Sequence, residues 1–212
     1  VMDLWQRGIT ARKIITDAAV TNAIKVCMAI GGSANTVIHI PAAATEAELG
    51  IDCSEIYAQA SQEIPLLVGI RPNGPHTMRD FDEAGGLHAL LAELKDQLDL
   101  SCLSVNGKTL GENIAEARNR NPEVIHPRSQ PLDTEGGLVL VKGNIAPEGA
   151  FIKKSAVPRE LWHFRGKARV FYTVMSAIEA LEKDMDALDS RLVRCRSMEK
   201  DAKSLTQDHA LT

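Results

Sequence analysis

The sequence predicts an α/β chain in two parts, the first rich in helices and the second in short strands. Three observations carry this expectation. Apolar residues recur at helical spacing in several segments up to about residue 117, and a continuous apolar run at residues 65–70 interrupts them. From about residue 138 the pattern changes to short apolar runs punctuated by glycine. With 212 residues and 44% hydrophobic content the chain can bury a sizeable core, as one large domain or two small ones. Its 24 Lys and Arg against 28 Asp and Glu give a formal charge of −4 and a pI of about 5.9. That balance offers no footprint for phosphate backbones or anionic lipid, so neither nucleic acid nor membrane is an expected partner.

Thr16 is an N-cap type residue. Val20, Ala23, Ile24, Cys27 and Met28 follow at the spacing of one helical face. Gly31-Gly32 should end that helix, because glycine takes the left-handed conformation beyond a helix at little cost. Ser33 then offers a cap to a second helix containing Val37, Ile38 and Ile40, and Pro41 predicts a kink or break in it. Ser54 reads as the cap of a short helix to about Gln62, and residues 65–70 as a buried strand. Residues 71–77 form a loop, and the Gly85-Gly86 pair precedes a helix with Leu87, Leu90, Leu91, Leu94 and Leu98 on one face. A strand over 102–105, a turn at Asn106-Gly107 and a helix to about Ala117 complete the first part. A domain boundary is expected between Pro122 and Pro131.

Beyond it, residues 138–142, 150–153 and 168–171 read as short strands. Val174, Ile178, Leu181, Met185, Leu188 and Leu192 then make a narrow helical seam, suited to packing on its own sheet or to a partner helix. After Leu192 the chain reads as a polar, frayed tail.

The turn from Gly31 to Thr36 is the first candidate for chemistry. Its glycines allow close approach of a ligand, while Ser33 and a following helix N-terminus would favour an anion such as a carboxylate. A helix end followed by a helix start explains the same residues without a ligand. His39 would lie one turn on, beside Asn35 or Thr36, where a hydrogen-bonded core histidine is the plainer reading. Asn106-Gly107-Lys108-Thr109 is half a phosphate-loop signature, with Cys102 where a glycine is needed, and reads as a tight turn. Asp80, Asp82 and Glu83 suit the start of a helix without any metal, and His76 could line a cleft mouth. Cys27, Cys53, Cys102 and Cys195 form no C-x-x-C pair and read as reduced thiols. No run of about 20 apolar residues and no signal peptide occurs, so a cytoplasmic location is expected.

Several segments in order resemble the dihydroxy-acid and phosphogluconate dehydratase family, which also contains sugar-acid dehydratases. They are Met28-Ala-Ile-Gly-Gly-Ser-Ala-Asn-Thr36, Arg71-Pro-Asn-Gly-Pro-His-Thr-Met-Arg-Asp80 with Glu83-Ala-Gly-Gly86, and Asn106-Gly-Lys-Thr-Leu-Gly-Glu-Asn113. Glu135-Gly-Gly-Leu138, Lys142-Gly-Asn-Ile-Ala-Pro-Glu-Gly-Ala150 and Phe164-Arg-Gly-Lys-Ala-Arg-Val-Phe171 continue the series, and the likeness runs from about Leu4 to Leu181. The resemblance implies residues 1–125 as the C-terminal part of a large α/β domain and 126–181 as the start of a β-rich swivelling domain. Residues 182–212 would be a divergent helical or disordered tail, and the chain is expected to be truncated at both ends or to run on in a shifted reading frame.

The resemblance also implies a hydro-lyase that dehydrates 2,3-dihydroxy carboxylates to 2-keto acids, most closely in branched-chain amino-acid synthesis. An iron–sulfur cluster, Mg2+ and a serine base serve that reaction in the family. The family's cluster cysteines belong to motifs outside this sequence, and neither Pro-Gly-Met-Glu nor Asp-Gly-Arg-x-Ser occurs in it. No catalytic or metal-binding residue is therefore assigned, and no cluster or Mg2+ is expected on this chain alone. Gly31, Gly32, Ser33, Asn35, Thr36 and His39 are the candidates for lining a substrate cleft. A small hydroxy-acid substrate and a homo-oligomer are the expected partners, and an inactive remnant or interaction module is the alternative.

Overall fold

The computed structural model describes residues 1–163, 165–166, 169–183 and 193–195, which mix helices with short strands as an α/β class requires. They form two compact units, one of residues 1–142 with 148–157, the other of 143–147 with the residues from Pro158 on.

In the first unit α1 (Met2–Gln6) and α2 (Ala11–Ile14) lead into α3 (Asp17–Ile30). The Thr16 hydroxyl oxygen accepts from the Ala19 N–H at 3.2 Å, as a cap should. The chain leaves α3 through Gly31 at φ 63° and ψ 50°. There the Gly31 N–H donates to the Met28 carbonyl and the Gly32 N–H to that of Cys27, the bond pair by which a left-handed glycine closes a helix. Val20, Ile24 and Met28 are buried along the predicted face, while Ala23 is exposed. Asn22 is buried as well, donating to the Asp99 carbonyl and accepting from the Asp99 N–H, both at 2.9 Å. Both amide atoms are thereby satisfied.

α4 (Thr36–Glu46) runs through Pro41 instead of breaking there, and Asn35 rather than Ser33 occupies its N-cap position. α5 (Cys53–Glu63) is capped by Asp52, whose Oδ1 accepts from the N–H groups of Ser54 and Glu55 at 2.9 and 3.2 Å. Asp52 displaces the expected cap Ser54 because its carboxylate also suits the positive end of the helix. α6 (Met78–Glu83) and α8 (Leu110–Ile114) each begin with a capping box, Thr77 with Asp80 and Thr109 with Glu112. Between them α7 (Gly86–Glu93) buries Leu90 and Leu91, and Leu94 and Leu98 continue its apolar face, but Leu87 is exposed.

Neither expected strand of this unit forms a ladder. Residues 65–70 are extended and buried, yet Leu66, Val68 and Ile70 make only isolated bridges, to Asp133, Ile125 and His76, and Leu103 makes one to Thr109. Buried backbone must find hydrogen bonds, and here they come group by group from different elements. The Leu67 N–H donates to the Ala29 carbonyl at 2.8 Å, that of Gly69 to Val124 at 2.9 Å, and that of His126 to Leu67 at 2.7 Å.

β1 (Leu138–Gly143) and β2 (Ala146–Lys153) pair as a hairpin where short strands were expected. The hairpin is tied to α3 just before it starts, since the Gly137 N–H donates to the Met28 carbonyl at 3.0 Å. A Cβ on Gly137 would overlap the Cα of Gly31, so the two glycines set how closely the hairpin approaches the helix end. Phe151 of β2 meets Tyr57 of α5 edge to face, with ring centroids 5.2 Å apart.

In the second unit β3 (Arg169–Phe171) pairs in parallel with β4 (Val193–Cys195), and α9 (Val174–Lys183) stands between them in sequence. Ala177 of α9 is buried, whereas Val174 and Ile178 of the expected seam are exposed. Met185, Leu188 and Leu192 lie outside the described residues.

Gly137→Ala is expected to destabilise the chain by about 3 kcal/mol, since its methyl meets backbone that cannot turn aside. Gly50→Ala, with open space around its Cβ position, should change stability by less than about 0.5 kcal/mol. Urea unfolding of the two variants beside the parent chain checks this.

Candidate functional site

The carboxyl end of α3 gathers residues that are far apart in the chain. Its last turns leave carbonyls without helical partners, and that end carries partial negative charge. Asn73 Nδ2 donates to the Ile30 carbonyl at 3.1 Å and the Gly31 carbonyl at 3.3 Å. Lys153 Nζ donates to the Gly31 carbonyl at 2.9 Å and the Gly32 carbonyl at 3.2 Å. The turn thus presents carbonyl oxygens to a cation, while the N–H groups of Gly31 and Gly32 are bound within the helix end.

Of the residues singled out by the sequence, Gly31 is buried and Gly32 half-buried, and Ser33 and Asn35 are exposed beside them. The Ser33 Oγ accepts from the Asn35 N–H at 3.2 Å, and the Thr36 hydroxyl donates to the Ser33 carbonyl at 2.7 Å. His39 is exposed, which overturns its reading as a core histidine. Its position on α4 faces away from the buried side marked by Ala44.

Near the turn the half-buried Cys27 neighbours the buried Tyr57 and Cys53. Burial pushes the Tyr57 phenol up to about 12, an effect the Thr36 hydroxyl partly offsets and the two thiols reinforce. Among the described residues no hydrogen bond is made to that buried phenol oxygen, although the Thr36 hydroxyl lies near it. The buried Asn73 Oδ1 beside Gly31 likewise makes none among them. Burial likewise raises the thiols of Cys27, Cys53 and Cys102, away from the thiolate that metal binding needs.

Two adjacent lysines at the end of the hairpin are treated differently. Lys154 pairs with Asp133 at 3.0 Å and Glu135 at 2.9 Å. Burial opposes its charge, but the hydrogen bonds of the two carboxylates outweigh that, and its pKa is raised. Lys153 meets only carbonyl oxygens among the described residues, and burial lowers its pKa. Lys153 was not legible as a site residue, because no local pattern announces a contact across more than a hundred residues.

A second, polar cleft of about 300 Å³ is lined by His76, Asp80, Glu83, Arg120 and Asn121. His76 lines a cleft, as its loop suggested. The Asp80 carboxylate is held below its ordinary range by the Thr77 N–H and hydroxyl, with His76 and Arg79 adding to the effect. The Asn106-Gly107 turn binds no phosphate-type ring of N–H groups: its Gly107 N–H bonds the Ser104 carbonyl, and Arg7 Nη2 donates to the Gly107 carbonyl at 3.0 Å.

An iron–sulfur cluster or Mg2+ requires converging thiolates or carboxylates. Among the described residues no three His, Cys, Asp or Glu side chains gather in that way. They do not fit either ligand set. Among the described residues no helix is long and apolar enough to cross a membrane.

The architecture is thus a helix-rich α/β unit whose glycine turn, asparagine loop and hairpin lysine meet at one helix end. Residues 1–113 match the model of the dihydroxy-acid/6-phosphogluconate dehydratase N-terminal region, and residues 123–196 that of the C-terminal region. The chain belongs to the dihydroxy-acid/6-phosphogluconate dehydratase family. The second match passes Leu181, where the likeness was expected to stop. A dihydroxy-acid dehydratase of Agathobacter rectalis is 45% identical over 86% of this chain and 33% of its own length. Those of Methanothrix thermoacetophila and Methanococcoides burtonii are 43% and 40% identical, over 81% and 92% of this chain and 32% and 36% of theirs. The chain spans about a third of the length of these relatives.

Two outcomes follow from this geometry. Tyr57→Phe removes a buried hydroxyl without a partner, so stability should be unchanged or rise by about 1 kcal/mol; a loss of that size in thermal unfolding would show that the phenol is bonded. Glu112 is lowered like Asp80, by the Thr109 N–H and hydroxyl. Carboxylates lowered by folding add stability that is complete above the ordinary carboxyl range and lost as pH falls through it. The combined Asp80→Asn and Glu112→Gln variant should accordingly lose stability less steeply below about pH 4, as measured by urea unfolding across pH.

Proposed function

We propose that the chain supplies one segment of a hydro-lyase that converts a 2,3-dihydroxy carboxylate to a 2-keto acid, most closely a dihydroxy-acid dehydratase of branched-chain amino-acid synthesis. The observation that carries this reading is the match to both family models in order, together with the names of the relatives. In this reading residues 1–125 belong to the large α/β domain and 126–181 begin the swivelling domain. Gly31, Gly32, Ser33, Asn35, Thr36 and His39 line the substrate cleft. Support for the cleft comes from the convergence there of three motif segments, through Gly31, Asn73 and Gly137.

The role of this segment is to bind and orient the acid; the iron–sulfur cluster and Mg2+, which would polarise the leaving hydroxyl and the carboxylate, belong to other segments of the enzyme. A cytoplasmic homo-oligomer completes the proposal. The chain alone is expected to form no 2-keto acid even with iron, sulfide and Mg2+ supplied. Replacing the matching third of the Agathobacter rectalis enzyme with residues 1–181 should preserve keto-acid formation from 2,3-dihydroxyisovalerate within about tenfold. A folded, cluster-loaded chimera without activity would favour the inactive remnant instead.

A further inference from the structure

We propose that Lys153 is the anion-recognition residue of the glycine turn, taking a carboxylate at the edge formed by Ser33 and Asn35. An ammonium group has three N–H donors. The Gly31 and Gly32 carbonyls take two of them, and no carboxylate meets Lys153 among the described residues. Its neighbour Lys154 shows what the fold does with a lysine whose charge it neutralises: two carboxylates, Asp133 and Glu135, hold it within 3.0 Å. Lys153 is instead held by carbonyl oxygens alone, whose partial charges at the helix end offset only part of its full positive charge and leave the remainder for a ligand.

The chemistry of the surroundings selects a carboxylate bearing a nearby hydroxyl. The Gly32 carbonyl that accepts from Lys153 belongs to the peptide bond leading to Ser33, so the ammonium lies beside that residue. Ser33 and Asn35 are exposed there and offer a hydroxyl and an amide, partners for a ligand hydroxyl. The turn's own glycine N–H groups are bound within the helix end and cannot hold the anion, so the charge has to come from the side chain. Lys153 thereby ties the region matched by the C-terminal family model to the turn in the N-terminal one.

This assignment rests on the reading of the turn as part of the substrate cleft, but its test is independent of turnover. The purified 212-residue chain is titrated with 2,3-dihydroxyisovalerate, with 2-hydroxyisovalerate and with the methyl ester of the former, and binding is followed by ligand-detected NMR. Both acids should bind and the uncharged ester should not. Lys153→Met should weaken binding of the acids at least tenfold, Lys153→Arg should restore most of it, and Lys142→Met should leave it unchanged. Thermal unfolding of each variant shows that it is folded. A folded Lys153→Met chain that binds the acids as the parent does, or a parent chain that binds neither, would overturn the assignment and leave Lys153 as a helix cap only. Binding lost with Lys153→Met while the chimera is inactive would uphold the anion site and refute the dehydratase reading. An active chimera beside unchanged binding would do the reverse.

Discussion

The first unit depends on how the carboxyl end of α3 is closed. A 14-residue helix ends with carbonyls that its own backbone cannot satisfy, and in the interior of a protein such groups must find donors. Here each donor comes from a different part of the chain. Met28 accepts from Gly137, Ala29 from Leu67, Ile30 from Asn73, and Gly31 and Gly32 from Lys153. Because these bonds share one helix end, the buried segment 65–70, the loop carrying Asn73 and the β1–β2 hairpin are positioned by a single requirement.

Glycine makes the convergence possible in two ways. Gly31 takes the left-handed conformation that turns the chain out of α3, and its missing side chain leaves room for Asn73, with which a Cβ would overlap. Gly137 lacks a side chain for a different reason, the contact with the backbone of Gly31 itself. Substituting either would separate elements whose hydrogen bonds depend on that spacing. The close approach therefore belongs to the architecture as much as to any ligand, and both uses of the turn proposed from the sequence, helix closure and cleft lining, are compatible with the same geometry.

Much of this was legible where the signal is local. The start of α3 at Thr16 and its end at Gly31 follow from a cap residue, a 3.6-residue period and a left-handed glycine, all decided within a few residues. Strand character at 138–142 and 150–153 was legible through its glycine punctuation, but neither the pairing of β1 with β2 nor the start of β2 at Ala146 was read from it. Residues 65–70 read correctly as extended and buried, but a run of apolar residues does not say whether its backbone will pair with a strand or with scattered carbonyls. Asp52 and Ser54 are both cap-type residues two positions apart, and sequence spacing alone could not rank them. His39 looked like a core residue because its neighbours Val37, Ile38 and Ile40 are apolar, although Ile38 is itself exposed. Lys153 and Asn73 gave no signal as partners of the turn, since their roles exist only once the chain has folded.

The central claim is that the donors at the end of α3 form one cooperative unit. Native-state hydrogen exchange tests it directly, by following the amide protons of Gly32, Leu67 and Gly137 in increasing denaturant. A common helix end predicts that these three amides exchange with the same high free energy, equal to that of global unfolding of the first unit. If the Gly137 amide exchanged as readily as an exposed loop while that of Leu67 stayed protected, the hairpin would be docked independently of α3 and the account would fail.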